Sequence, residues 1–542
     1  MDRQHLGESS AKRLRRYDPV DQLLLKEYGQ RLGFLDREEA LTLSSSSTIF
    51  VVGQMRALAA FASDPKCVVA KGVMRQINDF VRAEAGSSSK ASQTVGYVRD
   101  ADGVRKVVIV CVPAEATRNN NSARPDAVSK ALVKFPQFAG MDDEPFGVYA
   151  LGYTAEDALV TAMAVGRAAH RLNFNSNRAM RAKNSSESCV VVWSAEGRPA
   201  HLGRRGKLEL VVDNIRMAAL LTEMPTNQLN TTTYTRAIEG VAGRLRDRFG
   251  ADIGLEIIKG QELERQGFGG LWNVGKACTA NPPALVVLSC NASNAKPDDK
   301  SIVLVGKGIV YDTGGLALKT KDGMMGMKTD MGGSAGLLGA FAALVETKAI
   351  VNKSLYFIGC LAENSIGPDS YRHGDIIEMY SGLTVEINNT DCEGRLVLAD
   401  GVAYAAKHLN PELIIDMATL TYAQGVATGL SHGAIFSNCA DTEKKAFEAG
   451  RRSGDLVFPV LFCPEVHKPQ LHSDIADLKN QPTPGAGCSC AGSFIYENLI
   501  AAAGGDSVKF LHVDMAAVCS NLEGRASGFG VALVSQLLGA LD

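Results

Sequence analysis

The sequence predicts an α/β protein of two domains: a smaller N-terminal α/β domain, and a larger C-terminal one with a mixed, mostly parallel sheet covered by helices. Three observations carry this. The chain has 542 residues, more than one hydrophobic core usually organises. From Asn230 onward, short runs rich in Val, Ile and Leu alternate regularly with helical stretches. These runs are apolar on both faces, as strands are when helices cover both sides of a sheet.

Within residues 1–200, TIFVVGQMRAL from Thr48 and KVVIVCVP from Lys106 read as strands by their Val and Ile content. EAGSSSKAS from Glu84 and RNNNSARP from Arg118 read as breaks. AEDALVTAMAVGRAAHRL, Ala155 to Leu172, has small and apolar residues at helical spacing, and CVVVWSA, Cys189 to Ala195, is a further strand. With no evident charged constellation, this part suits an assembly domain, with substrate binding as the alternative. Residues 201–224 form a linker and bridging helix. The polar AEGRPAHLGRRG precedes ELVVDNIRMAALLTEMPTNQLN, whose helix ends near Pro225.

In residues 225–542 a helix is expected over Tyr234 to Phe249, then the strand ADIGLEII and a short helix over Gln261 to Gln266. Strands follow at ALVVLSC, SIVLVGKG, SLYFIGC, LTVEI and LIIDMATL, with helices from Gly332 to Glu346 and Leu398 to Leu409. Reactive residues of such a sheet belong in loops at the carboxyl ends of its strands.

Composition narrows the function. The chain is 46% hydrophobic and 21% charged, with formal net charge -2, and has no basic stripe, so no nucleic-acid partner is expected. No apolar segment is long enough to span a membrane. The N-terminus lacks the apolar run of a secretory signal. Lys12, Arg13, Arg15 and Arg16 give it some mitochondrial character, which Asp2, Glu8 and Asp18 oppose. Twelve cysteines without a CxxC pair suit a reducing compartment, and a cytoplasmic location is expected.

Two motifs read as decoys. GLWNVGKA, Gly270 to Ala277, has phosphate-loop spacing, but Ala277 stands where a hydroxyl should bind magnesium. GGSAG, Gly332 to Gly336, fits a nucleophile elbow but opens a helix after no strand. The dense signal is VGKGIVYDTGGLALKTKDGMMGMKTDMGG, where Lys307 and Asp312 flank a strand end, glycines crowd the turn, and Lys319 and Asp330 follow. In NNTDCEGRLVLADG, Asn388 to Gly401, Asp391, Glu393 and Arg395 alternate, as residues on one side of an extended chain do. Four acids can share a small site only if cations neutralise them, and two divalent ions about 3.5–4 Å apart do so economically. The plainer reading is a set of exposed acids in loops. None of the nine histidines forms HExxH. His472 and His512, each two residues before an aspartate, are expected at strand ends, with metal ligation and a local structural role both open.

NTDCEGRLVLADG resembles the signature of the leucyl aminopeptidase family, the cytosolic dinuclear-metal M17 peptidases. PTNQLN, GFGGLWNVGKA, VGKGIVYDTGG, MKTDMGG, AENSIGPDSYRHGD, IIDMATLT, HVDMA and SGFGVAL extend the similarity over residues 210–542. INNTD, DGVAYA, CPE and ASGFGVALV look closest to the subgroup called probable aminopeptidase-like 1. The resemblance implies a C-terminal catalytic domain that removes N-terminal residues, preferentially leucine and other apolar ones, from peptides with a free N-terminus. It implies that Lys307, Asp312, Asp330 and Glu393 bind a tightly held metal, and that Asp312, Asp391 and Glu393 bind an exchangeable one. Zinc is expected, with manganese possible in the exchangeable site. Lys319 and Arg395 would be catalytic, with bicarbonate held by Arg395, Gly394 and Leu396. Met327, Asn389, Thr419 and Leu420 would line the substrate pocket, and the chain would assemble as a homohexamer, a dimer of trimers. Cys392, His373 and Tyr422 depart from the family's alanine, proline and glycine; the thiol at 392 suggests sensitivity to oxidation. The alternative is a catalytically weak hexameric scaffold of the same fold that binds a partner or nucleic acid.

Overall fold

The computed structural model describes residues 32–35, 46–84 apart from 66 and 68, 91–100, 103–138, 144–169, 172, 188–197, 206–291, 299–350, 352–482 and 485–541. The basic N-terminal residues, most of the EAGSSSKAS break and of the AEGRPAHLGRRG linker, and residues 170 and 171 of the expected first helix lie outside these.

The first sheet is built from β1 (Leu32–Leu35), β2 (Thr48–Gln54), β3 (Ser92–Asp100), β4 (Gly103–Val112), β5 (Phe146–Gly152) and β6 (Ser188–Ser194). Its order is β1-β6-β5-β2-β4-β3, and only the β3–β4 pair is antiparallel. The run TIFVVGQMRAL splits after Gln54: β2 is buried throughout, and Met55–Ser63 turns helical to bury Ala57, Leu58 and Phe61 on one face. Met, Arg, Ala and Leu are good helix formers, so the change of period is local in origin.

The remaining strands are β7 (Ile253–Lys259), β8 (Ala284–Cys290), β9 (Ser301–Asp312), β10 (Leu355–Asn364), β11 (Ile376–Glu378), β12 (Thr384–Glu386), β13 (Pro411–Ala418), β14 (Gly433–Ser437), β15 (Val457–Pro459), β16 (Leu478–Lys479) and β17 (Lys509–Asp514). Eight form a sheet of order β15-β14-β17-β13-β9-β10-β8-β7, parallel through its centre from β17 to β10. LTVEI, expected in this sheet, instead forms β12 of a separate three-stranded sheet with β11 and β16.

Nine helices matter for the site: α1 (Ala155–Ala168), α2 (Lys207–Glu223), α3 (Thr231–Phe249), α4 (Gly269–Gly275), α5 (Gly332–Glu346), α6 (Glu393–His408), α7 (Tyr422–Thr428), α8 (Gly487–Ala503) and α9 (Val531–Leu537). Side chains of α2, α3, α5 and α9 share one core with one face of the large sheet, and that core continues through α1 into the first sheet. Residues of α4, α6 and α8 share a second core with the opposite face. Helices on both faces are what the doubly apolar strands require.

One irregularity in β9 decides where the site forms. Lys307 pairs with Cys360, and Asp312 with Asn364, so their partners on β10 are four residues apart and face the same way. On β9 the two residues are five apart, and strict alternation would send them to opposite faces. The register shifts between Ile309 and Tyr311, leaving Val310 as an extra residue, and this bulge turns Asp312 back to the side of Lys307.

Candidate active site

Lys307 lies within β9, between the parallel strands β13 and β10, rather than in a loop, and is 2% exposed. Its Nζ is 2.8 Å from Asp330 Oδ1 and 2.9 Å from Glu393 Oε1, and donates to Thr419 O at 2.9 Å. All three ammonium hydrogens thus have partners. Lys319 Nζ lies 2.8 Å from Asp312 Oδ2 and 2.5 Å from Asp391 Oδ1. Asp312, Asp330 and Glu393 are buried, and each offers a carboxylate oxygen within 4.8 Å of the others. Asp391, less buried, joins the group through Lys319.

The expected extended chain at Asp391 to Arg395 is not what forms. Asp391 sits in a turn, Cys392 precedes the helix, and Glu393 is the first residue of α6, which starts five residues earlier than expected at Leu398. The carboxylate of Glu393 therefore stands at the positive end of a helix dipole. Gly394 follows because nothing larger fits: a Cβ there would lie 2.5 Å from Lys307 Cε and 2.8 Å from Leu420 Cδ1. Leu396 is buried in the core, and Arg395 is buried with Nη1 donating to Asn480 O at 2.7 Å.

The electrostatics show a surplus of negative charge. Burial would lower the Lys307 ammonium, but Asp330, Glu393 and Asp312 hold it above its ordinary value. Burial, then the Glu393 charge, pushes Asp312 up to about 6. Asp330 and Asp391 are also raised, in each case first by burial. Burial pushes Glu393 up, but the Lys307 charge, its hydrogen bond and the Lys319 charge together hold it below its ordinary value. Two lysines leave two of four carboxylate charges uncompensated. Asp330 Oδ2 and Glu393 Oε2 are buried without a hydrogen-bond partner. Buried carboxylate oxygens left over in this way are the donor set that divalent cations take, so these residues fit a metal centre.

The residues expected to line a substrate pocket have these places. Met327 opens the short 3₁₀ turn Met327–Thr329 just before Asp330. Asn389 Oδ1 accepts from the backbone of Asp391 at 2.8 Å. Thr419 turns its hydroxyl onto Asp330 Oδ1 at 2.8 Å, and the Leu420 side chain reaches the Gly394 backbone.

The decoys resolve structurally. GGSAG begins α5, and a Cβ at Gly333 would lie 2.1 Å from Met417 O, so the small residues serve close helix–strand packing. Ser334 is buried against the Tyr234 hydroxyl at 3.0 Å. GLWNVGKA forms most of α4, packed on α6. His512 lies inside β17, with Nδ1 2.6 Å from Asp416 Oδ1 on the neighbouring strand rather than paired to Asp514. His472, outside any strand, is exposed beside Asp474. Neither belongs to the acid cluster. All twelve cysteines are free thiols.

Residues 216–535 match the description "Cytosol aminopeptidase family, catalytic domain", Peptidase M17. The chain belongs to this family. Probable aminopeptidase NPEPL1 of Homo sapiens is 43% identical over 390 residues, 71% of each chain. Leucine aminopeptidase 1 of Caenorhabditis elegans is 44% identical over 330 residues, 60% of this chain and 64% of that one. The leucyl aminopeptidase of Trypanosoma brucei, solved in complex with actinonin, superposes with a TM-score of 0.83 at 35% identity, covering 98% of this chain and 99% of that one. The acid cluster and the family together make the protein a metal-dependent aminopeptidase. Among the described residues, no helix is long and apolar enough to cross a membrane.

Sequence reasoning passed over several residues that hold this centre. Asn364, Tyr371 and Thr390 are almost fully buried around Asp312 and the Asp391 turn, and Asn480 fixes the backbone at Asn388 and Asn389 and takes the Arg395 guanidinium on its carbonyl. Asn364 and Tyr371 were visible in the AENSIGPDSYRHGD block, but nothing in their type marked them beside the charged residues.

Proposed function

We propose that this chain removes apolar N-terminal residues, leucine foremost, from peptides with a free N-terminus, using two divalent ions held by Lys307, Asp312, Asp330, Asp391 and Glu393. The carrying observation is the convergence of the buried carboxylates of Asp312, Asp330 and Glu393, with oxygens left unpaired. The leucine preference is supported by similarity to proteins named leucine and leucyl aminopeptidases.

Two ions held there would supply an acidified water and Lewis-acid polarisation of the scissile carbonyl, and bicarbonate held by Arg395 would serve as general base. The residues of the chain do the rest. Lys307 as an ammonium spends its donors on Asp330, Glu393 and the Thr419 carbonyl; to ligate an ion it would give up one of these protons, which a neighbouring cation favours. Thr419 holds Asp330 from the other side. Lys319 is the cation closest to solvent in the cluster, suited to stabilise negative charge developing on the substrate carbonyl. Arg395, with the backbone of Gly394 and Leu396, forms the bicarbonate site; its Nε is buried without a partner, leaving a donor for an anion. Met327, Asn389, Thr419 and Leu420 bound the pocket for the first side chain. Zinc fills both metal positions, with manganese possible in the exchangeable one.

Residues 1–200 serve as the assembly domain, 201–224 as linker and bridging helix, and 225–542 as the catalytic domain of a homohexamer arranged as a dimer of trimers. Similarity to cytosol aminopeptidases supports a cytoplasmic location.

The deciding experiment compares Leu-Gly-Gly with acetyl-Leu-Gly-Gly in metal-loaded protein. Leucine should be released from the first alone. Comparable cleavage of the blocked peptide would refute the aminopeptidase reading.

A further inference from the structure

Asn364 ends β10 beside Asp312, its cross-strand partner after the bulge in β9. It is wholly buried. Its Nδ2 donates to Asp312 Oδ1 at 2.8 Å and to Thr390 O at 3.0 Å. Both partners can only accept, so the orientation of the amide is fixed. The backbone carbonyl of Asn364 accepts from Thr313 N at 3.0 Å and from Thr313 Oγ1 at 2.7 Å, tying it to the turn after β9.

Thr390 is the matching anchor on the other segment. Its hydroxyl donates to Gly314 O and accepts from Ala317 N, each at 2.8 Å. Its carbonyl takes a second bond, from Tyr371 Oη at 2.6 Å. Asp391 and Glu393 follow directly. A single neutral amide therefore joins one carboxylate of β9 to the loop that carries two more.

What this does to Asp312 is specific. Oδ1 is held twice, by Asn364 Nδ2 and by Gly314 N at 2.8 Å, while Oδ2 faces Lys319. A carboxylate held on one oxygen by two neutral donors has a fixed rotamer and keeps its negative charge. A lysine in the place of Asn364 would hold the rotamer but cancel the charge a cation needs. Hydrogen bonds to ligating carboxylates are known to tune metal affinity about 10–100-fold.

We propose that Asn364 is a positioning residue for the metal centre, its amide, oriented by the Thr390 carbonyl, locking the Asp312 carboxylate into the ligand set. This rests on the two-ion reading above. Asn364 is not among the residues assigned to hold the ions; it acts through Asp312.

The test is metal binding rather than turnover. Metal-stripped wild type, Asn364→Ala and Tyr371→Phe are titrated with zinc in competition with a chromophoric chelator, after circular dichroism has shown each to be folded. Asn364→Ala should bind at least one zinc about 10–100-fold more weakly, and kcat should recover largely at saturating zinc. Tyr371→Phe, which removes the other bond to Thr390 O but leaves Asp312 held, should stay close to wild type. A merely structural asparagine would lower the melting temperature of the metal-free protein and leave zinc affinity unmoved; that result overturns the proposal. An equal loss in Tyr371→Phe overturns it too, since the effect would then come from the loop and not from Asp312. If Asn364→Ala does not fold, Asn364→Ser, which leaves room for a water, carries the same expectation. Wild type that takes up fewer than two ions refutes the two-ion reading itself, whereas two ions bound with the variant unchanged refutes the role of Asn364 alone.

Discussion

Gly394 measures how little room the centre leaves. The Lys307 side chain passes where a Cβ would stand, and Lys307 cannot retreat because its three donors are all engaged. Gly394→Ala should therefore displace Lys307 or the start of α6. Overpacking of this kind costs about 1–3 kcal/mol, and misplacing catalytic groups by a fraction of an ångström to 1 Å can lower turnover by about 10²-fold. Paired measurements of kcat and of the denaturation midpoint check this: kcat should fall far more than stability. Cys392, next to it, is governed by the same crowding. Burial pushes its thiol up, against the pull of Arg395. At this scale the sequence was most legible. Charged side chains among glycines stand out, and Lys307, Asp312, Asp330 and Glu393 do converge. The neutral residues that aim them, Asn364 and Thr390, do not stand out, because amides and hydroxyls are common in loops of every kind.

Among elements, α6 does two tasks, one at its first turn and one at its middle. Its first turn carries Glu393 and Arg395, and one turn further on Asp400 fastens it to its neighbours by accepting from Leu271 N of α4 at 2.8 Å and Tyr380 N at 2.9 Å. Burial pushes Asp400 up to about 7, against the pull of those backbone donors. A carboxyl whose pKa is higher folded than unfolded stabilises the fold most at low pH, below its unfolded value of about 3.9. That contribution is lost as pH rises toward 7. The stability difference between wild type and Asp400→Asn should therefore depend on pH between about 4 and 7 and level off above, read from denaturant midpoints. Asp400→Asn should also be less stable near neutrality, by about 1–3 kcal/mol, because its NH₂ must face one of two backbone donors. The early start of α6 was hidden in the sequence. Alternation of Asp391, Glu393 and Arg395 fits a strand as well as the entry of a helix, and only the Lys307 contact at Gly394 shows which is built. LTVEI misled for a related reason: a β-prone run says that a strand forms, not which sheet receives it.

For the whole molecule, the first sheet and the large sheet share a continuous core through α1 and α2. A buried ion pair fastens the join: Arg167 Nη1 of α1 lies 2.5 Å from Asp455 Oδ1. Asp455 Oδ2 in turn accepts from Gly530 N and Leu533 N at the start of α9. Arg167→Ala would strand a fully buried carboxylate, and breaking a buried pair in this way costs about 3–5 kcal/mol. The expected outcome is a markedly lower melting temperature with kcat at 25 °C nearly unchanged, since none of these groups touches the acid cluster. The alternation of strands and helices made both sheets legible. The join was not, because Arg167 and Asp455 lie far apart in the chain and each, read alone, is an ordinary surface charge.

The extra residue in β9 means that the central strand is written in two reading frames. From Val303 to Ile309 the odd-numbered side chains face α6; beyond Val310 the even-numbered Asp312 does. Tolerance to substitution along this strand should accordingly change phase at Val310, and a one-residue deletion there is a frameshift in space. It would leave every catalytic letter in the text and still turn Asp312 away from Lys307, so that chain length between two residues, and not their identity alone, is part of what the enzyme inherits.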